Sequence, residues 1–368
     1  MQNKQKSSSV CFLTYDLAFG GTEKVIVTIA NELSLSGRDI SIAMLGKRND
    51  FANIINPKIK IIFLNCENIK FSPFKLFSFF KKYSFDNLVA NLWPITSLSF
   101  LVKLISPHTN LIIIEHCPLS MQFKERGVYF RKFLKLSIKA FYGFADTIVA
   151  VSFGVKEDLL SLGCPKNKIR VIYNPFHKNS IDANKNYDTK ILKWIETSKI
   201  NLISVGELKE SKNFLNLVKS MDILKRRYKQ KINLLILGDG NERSKIQECI
   251  KECNMEDYIF LPGWVADPIL YMELSDLFVL SSDYEGFGVV IIEAFSVGLN
   301  VVSTNSLGPA EILNNGELGV LCQINDPISM AESIMLGLKS PFPKEALLSR
   351  AAEFAPKIIA QEYEKILK

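Results

Sequence analysis

Short apolar runs alternate with amphipathic segments along the whole chain, and this alternation constrains its fold more than any other feature. Apolar runs of about four to eight residues predict buried strands, and helical spacing predicts the connections between them. An α/β fold of doubly wound parallel sheets follows from this pattern. The predicted strands are Val10–Tyr15, Ile40–Leu45, Ile59–Leu64, Asn87–Asn91, Asn110–Glu115, Thr147–Ser152 and Ile169–Ile172 in the first half, and Asn201–Val205, Asn233–Leu237, Tyr258–Leu261, Leu277–Leu280 and Asn300–Ser303 in the second.

The length of 368 residues predicts two domains rather than one core. A polar stretch rich in Asn and Lys follows Asn174-Pro175, and an Asn-Pro pair favours a turn. The predicted organisation is a first domain, a linker, a second domain and a C-terminal helix that returns to the first domain. Their boundaries are 1–176, 177–198, 199–350 and 351–368.

The composition, with 48% hydrophobic and 23% charged residues, is that of a water-soluble globular protein. A net charge of +7 is compatible with phosphates, nucleic acid or an anionic membrane as partners and does not choose among them. Seven scattered cysteines and three histidines form no zinc pattern, which predicts reduced thiols in a cytosolic protein without a metal. The polar N-terminus predicts no signal peptide, and the apolar stretch 88–105 is interrupted by polar residues, which predicts no membrane span.

The segment 281–294 carries the clearest chemical signal in the chain. A predicted strand ends before it, and it contains a turn with Gly286, Phe287 and Gly288 and then an apolar helix. Glycines let a backbone approach a ligand closely, and a helix start offers N–H groups to a phosphate. The carboxylates of Glu285 and Glu293 are suited to accept hydrogen bonds from vicinal hydroxyls. Phosphate together with hydroxyls suggests a sugar nucleotide. The alternative is that both are solvated charges beside a buried crossover.

The Glu-x7-Glu element with Glu285-Gly286-Phe287-Gly288 resembles the donor-site signature of retaining glycosyltransferases of the GT-B fold, most of all glycosyltransferase family 4. This resemblance implies two Rossmann-like domains that face each other across a cleft. It also implies that the second domain binds a nucleotide-sugar donor and the first binds the acceptor. Glu293 would then hold the ribose hydroxyls, and Glu285 would hold the transferred sugar.

The resemblance extends to other strand ends of the second domain. Lys212 matches a family lysine that binds the donor diphosphate, and Gly206 opens the same motif. The family's usual arginine is replaced by Glu207, whose charge would repel a phosphate. Gly238 and Val265 match positions along the donor edge, the latter where the backbone borders the nucleobase. From the residues alone, Gly238 is equally compatible with a plain turn, and Lys212 with an exposed lysine at a helix start.

Two positions in the first domain match the family's cleft side. Gly20-Gly21-Thr22 follows the first strand and resembles an acceptor-side loop, although a plain tight turn would look the same. His116 ends an apolar strand, where a lone histidine is usually structural. The resemblance implies instead that His116 lies near the reacting sugar. It therefore joins Glu285 and Lys212 as a predicted catalytic residue.

Two basic and aromatic stretches, 70–82 and 121–140, lie in the first domain. Lysine and arginine interleaved with aromatic residues are typical of peripheral contact with an anionic membrane. The alternative is an amphipathic core helix with a solvated basic face. Nucleic acid is disfavoured because no nucleic-acid module accompanies the charge.

The resemblance predicts a retaining glycosyltransferase that uses a UDP- or GDP-sugar. Its acceptor would be a glycan or a polyprenyl-linked glycan in bacterial surface-polysaccharide assembly, at the inner face of the cytoplasmic membrane. No cofactor or metal is expected. Two alternatives remain open: a catalytically silent GT-B subunit that binds a partner transferase, which Glu207 favours, and another GT-B enzyme such as a sugar-nucleotide epimerase.

Overall fold

The structure, a computed structural model, describes residues 8–66, 68–177, 187–228 and 231–368. These residues divide into two compact units. The first consists of the described chain up to His177 together with Phe354–Lys368, and the second runs from residue 187 to Glu353. Each unit has its own parallel sheet. The predicted α/β fold with two doubly wound, Rossmann-like domains is confirmed.

The first unit is built on parallel strands, and all but its two edge strands are almost entirely buried, as in sheets with helices on both faces. The strands are β1 (Ser9–Thr14), β2 (Asp39–Met44), β3 (Lys60–Phe63), β4 (Asn87–Asn91), β5 (Asn110–Glu115), β6 (Thr147–Ala150) and β7 (Ile169–Val171). Among the described residues they pair in the order β3-β2-β1-β4-β5-β6-β7. The strand order reverses between β1 and β4, and open α/β sheets bind ligands beside such a point.

The helices of the first unit are α1 (Gly21–Leu35), α2 (Ser72–Lys82), α3 (Ile95–Leu98), α4 (Leu101–Ile105), α5 (Leu119–Gln122), α6 (Val128–Phe141) and α7 (Phe153–Ser161). The helix α1 buries one apolar face, which includes Val25, Ile29 and Leu33, at the spacing of helical turns. Most of the two basic and aromatic stretches lies in α2 and α6, and each of these helices buries only a narrow apolar face.

The second unit has the strands β8 (Ile200–Val205), β9 (Ile232–Leu237), β10 (Ile259–Gly263), β11 (Leu277–Leu280), β12 (Val301–Thr304) and β13 (Val320–Cys322). In the described chain they pair as β10-β9-β8-β11-β12-β13, so the order reverses between β8 and β11. The register places Leu277 beside Leu202 and Phe278 beside Ile203. The carboxyl ends of β8 and β11 therefore lie side by side.

The helices of the second unit are α8 (Thr189–Ile195), α9 (Phe214–Tyr228), α10 (Arg243–Glu252), α11 (Ile269–Met272), α12 (Val289–Phe295), α13 (Leu307–Ile312), α14 (Pro327–Lys339) and α15 (Lys344–Ala352). The core between helices and sheet contains Leu202, Leu217, Ile236 and Ile334. The predicted apolar helix after the glycine turn is α12, and glycines with positive φ lie on either side of it, Gly288 at 101° and Gly298 at 74°.

The predicted linker 177–198 is wrong for residues 189–195, which form α8 in the second unit. Asp188 caps this helix, with its Oδ1 accepting the Lys190 N–H at 2.7 Å. Ile191 is buried, and the Trp194 and Phe260 ring centroids lie 5.6 Å apart. Two apolar anchors in a polar run are too few to show helical periodicity in the sequence. Residues 178–186 of the predicted linker lie outside the described residues.

The C-terminal segment Phe354–Lys368 belongs to the first unit, and residues 351–353 stay with the second, where the predicted segment began. Its helix α16 (Pro356–Glu364) packs on α1. Arg38 Nη2 contacts Glu364 Oε2 at 2.6 Å, and Arg38 Nη1 donates to the Lys368 carbonyl at 2.7 Å. Within the ranges that the structure describes, no helix combines the length and the apolar character needed to cross a bilayer.

Candidate active site

The strongest feature of the second unit is an ion pair at the carboxyl ends of β8 and β11. Lys212 follows β8 and Glu285 follows β11, and Lys212 Nζ lies 2.5 Å from Glu285 Oε2. Their side chains are only 12% and 21% exposed. At the place where the strand order reverses, a lysine and a carboxylate that are held together can bind a phosphate and a hydroxyl of the same ligand. The structure thus brings two of the three predicted catalytic residues into direct contact.

A network of polar contacts fixes the two loops that carry this pair. Ser281 Oγ donates to the Lys212 carbonyl at 2.7 Å, and the Asp283 N–H donates to the Ser211 carbonyl at 2.9 Å. Asn213 has a positive φ of 45°, and its Nδ2 donates to Asp283 Oδ1 at 2.7 Å. Sequence reasoning missed this network because it depends on contacts between loops. The only signal was the pair of serines at the end of β11.

The glycine turn packs against the start of α13. A Cβ atom on Gly308 would overlap Phe287 Cα and the Gly286 carbonyl oxygen, so only glycine allows this approach. The Gly308 N–H points to the Glu285 carbonyl at 3.4 Å. Phe287 itself is buried. Close backbone contacts with Gly308 therefore hold the turn that carries Glu285 in place.

Glu293 lies in α12 with only 8% of its surface exposed, among Ile291, Ile292 and Phe295, which are buried. Its carbonyl accepts the Ser296 hydroxyl at 2.7 Å. A carboxylate in so apolar a helix is costly to bury without polar interactions. This burial disfavours the interpretation of Glu293 as a solvated surface charge.

Glycines line the neighbouring strand ends. Gly206 follows β8, and the carbon chain of Lys212 lies over it, 3.5 Å from where a Cβ would stand. Gly238 follows β9 with a φ of 149°, and a Cβ there would overlap the Gly206 carbonyl oxygen. Gly263 ends β10 and accepts the Gly238 N–H at 2.9 Å. Val265, two residues after Gly263, is half-buried.

Glu207, which stands where the family has arginine, points to solvent. Its side chain is 64% exposed, and its Oε2 lies 2.9 Å from Lys209 Nζ. An exposed pair of this kind is worth little energetically. Because Glu207 is exposed, solvent and salt screen most of the repulsion that its carboxylate would exert on a nearby phosphate.

The predicted residues of the first unit lie at the start of α1 and directly after β5. Gly20 precedes α1, with an extended backbone, and its carbonyl accepts the Lys24 N–H at 3.1 Å. A Cβ on Gly20 would overlap the Glu23 carboxylate, whereas Gly21 has open space at that position. Thr22 lies in the first turn of α1. The loop is thus a helix start at the switch point of the first sheet.

His116 directly follows β5 and is 4% exposed. Its Nε2 lies 3.1 Å from Asn91 Oδ1, at the end of the adjacent strand β4. Burial lowers the pKa of His116 to about 4, so the ring is neutral at physiological pH. Burial also raises the pKa of the neighbouring Glu115 to about 7, and Glu115 accepts a hydrogen bond from Tyr142. Asn91 was not among the predicted site residues.

Among the described residues, no group of three or more His, Cys, Asp and Glu side chains is arranged to hold a metal ion. The cysteines at all seven positions are free thiols.

Comparison with known proteins places this geometry in a family. The profile of Glycosyltransferase Family 4 matches residues 19–179, and that of Glycosyl transferases group 1 matches residues 188–356. The chain is 28% identical to N-acetylgalactosamine-N,N'-diacetylbacillosaminyl-diphospho-undecaprenol 4-alpha-N-acetylgalactosaminyltransferase of Campylobacter jejuni, over 92% of each chain. It is 26% identical to the amylovoran biosynthesis glycosyltransferase AmsD of Erwinia amylovora, over 95% of this chain and 96% of AmsD.

Solved structures agree on the fold. HepE of Anabaena, determined with UDP-glucose, has a TM-score of 0.79 at 19% identity and covers 97% of this chain and 98% of its own. A sucrose-phosphate synthase of Thermosynechococcus elongatus has a TM-score of 0.82 at 18% identity, over 98% of each chain. The two profiles together match most of the sequence, one in each unit. The chain therefore belongs to the GT-B glycosyltransferases related to glycosyltransferase family 4.

Proposed function

We propose that this glycosyltransferase moves a sugar from a UDP- or GDP-sugar to a glycan or polyprenyl-linked acceptor, with retention of configuration, in surface-polysaccharide assembly. The observation that carries the proposal is the Lys212–Glu285 pair at the β8–β11 switch point, in the same unit as the buried Glu293. Two relatives support the pathway by their names, one for a diphospho-undecaprenol acceptor and one for amylovoran biosynthesis.

In this proposal, Lys212 and backbone N–H groups of the glycine turn stabilise the negative charge that develops on the leaving diphosphate. Glu293 accepts hydrogen bonds from the ribose hydroxyls, and Glu285 accepts them from the transferred sugar. No divalent metal is assigned to this step. Lys212 would divide its contacts between Glu285 and the diphosphate when the donor is bound.

The bond changes of the proposed step take place on one face of the sugar. The bond between the anomeric carbon and the diphosphate oxygen breaks, and a bond from the acceptor oxygen to that carbon forms on the same face. The acceptor hydroxyl passes its proton to the departing phosphate oxygen. This route requires no side-chain nucleophile.

Nucleotide binding is the first test of the proposal. Thermal unfolding of the purified chain is measured with UDP, GDP, their sugars and inorganic pyrophosphate, which lacks ribose. We expect either UDP and its sugars or GDP and its sugars to raise the free energy of unfolding by about 2.7 kcal/mol at 100 times their Kd. Pyrophosphate should raise it less. The anomeric configuration of the product, read by NMR, then decides between retention and inversion.

The competing function is a catalytically silent subunit, and the exposed Glu207 is the observation that favours it. It predicts neither stabilisation by any nucleotide nor hydrolysis of any nucleotide-sugar. Such a result with correctly folded protein would refute the transferase proposal. Nucleotide binding with sugar interconversion instead of transfer would point to an epimerase.

We also propose that α6 makes peripheral contact with the anionic inner face of the cytoplasmic membrane. Tyr129, Phe133 and Leu136 are exposed and recur at helical spacing, so they form one apolar stripe. The helix carries four basic residues and no acidic one in its sequence VYFRKFLKLSIKAF. A merely solvated basic face has no need of exposed aromatic residues, whereas a bilayer surface accommodates both groups.

Vesicle sedimentation tests this contact. We expect binding to vesicles with phosphatidylglycerol and little binding to vesicles of phosphatidylcholine alone. The double variant Phe133→Ser/Leu136→Ser should reduce binding at least about 10-fold, since each apolar side chain contributes roughly 1 kcal/mol or more at an interface. Leu336→Ser, at an exposed leucine in α14 of the second unit, is the control. Equal binding to both vesicle types, or equal losses in both variants, would contradict the assignment.

A further inference from the structure

The strand β10 is irregular where it reaches the carboxyl edge of the second sheet. Phe260 pairs with Leu235 of β9. The next pair is Gly263 with Leu237, so β10 advances by three residues while β9 advances by two. One extra residue on one strand is a β-bulge, which bends the strand and leaves backbone groups without a partner in the ladder. Pro262 lies inside the bulge and has no N–H to donate, as expected at a sheet edge.

A carbonyl group inside this bulge is bound by Arg243. The Nη2 atom of Arg243 donates to the Leu261 carbonyl oxygen at 2.8 Å. Arg243 is the first residue of α10, the helix that follows β9. A hydrogen bond from an ionised donor is stronger than one between neutral groups. This bond therefore ties the start of α10 to the bulge of β10.

Two features of Arg243 oppose local stability. A cation in the first turn of a helix is unfavourable, because the helix dipole is positive at that end. The Nη1 atom is buried and makes no hydrogen bond with any group in the described part of the chain. The Asp239 carboxylate lies 3.8 Å from Nη1, close enough for an ion pair but too far for a hydrogen bond. Departures of this kind from local preference are concentrated at functional sites.

The glycines beside Arg243 form a surface of bare backbone. Gly206, Gly238 and Gly263 lie at the ends of β8, β9 and β10. A Cβ on Gly238 would overlap the Gly206 carbonyl oxygen, and the Gly238 N–H donates to the Gly263 carbonyl at 2.9 Å. Gly263 has a φ of 114°, which favours glycine. Because neighbouring strands lie about 4.8 Å apart, this surface extends roughly 10 Å from Lys212 across the sheet edge, and it suits a flat ring.

We propose that Arg243 is a positioning residue for the nucleobase of the donor. By holding the Leu261 carbonyl, it fixes the backbone from Gly263 to Val265, against which the base lies. The role toward the base rests on the proposed function, in which Lys212 meets the diphosphate at the end of β8. The role of Arg243 toward the bulge does not, because it follows from contacts within the second unit.

Hydrogen exchange tests the contact with the bulge without any ligand. Arg243→Met retains an apolar stem and removes the donor. We expect peptides that cover residues 259–267 to exchange about 10-fold faster than in the wild type, because one charge-assisted hydrogen bond is lost. Peptides that cover β12 should exchange at the same rate. Equal exchange of residues 259–267 in both proteins would overturn the role of Arg243, whether or not the protein binds a nucleotide.

Lys245→Met is the matched control for this variant. Lys245 lies in the same helix, its side chain is 66% exposed, and its Nζ contacts Glu242 Oε1 at 2.8 Å. The substitution removes the same charge from α10 without touching the bulge. We expect it to leave the exchange of residues 259–267 and the affinity for nucleotides unchanged. Equal effects of Lys245→Met and Arg243→Met would assign the result to the charge of the helix and would refute the proposal.

Titration calorimetry tests the role toward the base. The ligands are inorganic pyrophosphate and whichever of UDP and GDP the wild type binds more tightly. We expect Arg243→Met to bind the nucleoside diphosphate about 10-fold more weakly, since the backbone beside the base is no longer fixed. Its affinity for pyrophosphate, which has no base, should equal that of the wild type. An equal loss for both ligands would show a general structural defect and would overturn the proposal.

Arg243→Lys separates the bond to Leu261 from the shape of the guanidinium group. A single donor is enough for one carbonyl oxygen, so this variant should recover most of the nucleotide affinity and the slow exchange. If it behaved like Arg243→Met, the bond to Leu261 would not be the cause. Should Arg243→Met fold poorly, Arg243→Gln replaces it with a shorter, neutral side chain and the same expected losses. Absence of nucleotide binding in the wild type would refute the proposed function instead, and the exchange experiment would still decide the role of Arg243.

Discussion

The Lys212→Met variant is expected to lose at least about 100-fold in kcat for sugar transfer, because a preorganised charge toward a leaving group is worth two or more powers of ten. Lys212 is 12% exposed and fixed by Glu285, so its charge is held in place before the donor arrives. Methionine retains the length and apolar stem of lysine and removes only the charge. Steady-state kinetics with a saturating donor measures the effect.

Lys209→Met is the matched control for this prediction, since Lys209 lies in the same loop but is 46% exposed and contacts Glu207. We expect it to change kcat by less than about threefold, as exposed pairs contribute little. Thermal unfolding of both variants checks that each is folded. If Lys209→Met lost as much as Lys212→Met, the cation that meets the diphosphate would have been assigned wrongly.

The Glu293→Gln variant is expected to bind the nucleoside diphosphate about 10- to 100-fold more weakly, because hydrogen bonds to a charged acceptor are worth roughly 1.5–3 kcal/mol. Glutamine preserves the size of a side chain that is only 8% exposed, so a packing defect is minimised. Titration calorimetry measures the two dissociation constants.

The 2′-deoxynucleotide provides the control from the ligand side. The wild-type protein should bind the 2′-deoxynucleotide more weakly than the ribonucleotide. The Glu293→Gln variant should bind both with similar affinity, because the two changes remove the same contact. Equal discrimination by both proteins would remove Glu293 from the ribose. The comparison needs no acceptor and no knowledge of the sugar.

The sequence predicted the central strands well, because strands buried on both faces give continuous apolar runs. The bounds of β4, β5 and β11 agree with the predicted ranges. The short edge strand β13 was missed, and so was the helix α8, which lies in the predicted linker. Three residues at a sheet edge and a helix with few buried side chains give too little periodicity for detection.

The candidate site was predicted as a set of positions, whereas its contacts could not be predicted. Lys212 and Glu285 are 73 residues apart in sequence, and only the parallel pairing of β8 with β11 brings them together. The hydrogen bond between Asn91 and His116 could not be predicted from the sequence for the same reason. It depends on two backbone carbonyl groups that fix the direction of one amide.

Because α16 belongs to the first unit, the two units are not completed in the order in which their synthesis begins. The second unit is encoded in one continuous stretch, whereas the first also contains Phe354–Lys368, which follows the second unit in the sequence. On a ribosome that makes the chain from its N-terminus, the surface of α1 that packs against α16 stays uncovered until α16 emerges. The second unit can therefore finish folding before the first. A product that ends before α16 leaves this surface of α1 exposed to proteases and chaperones.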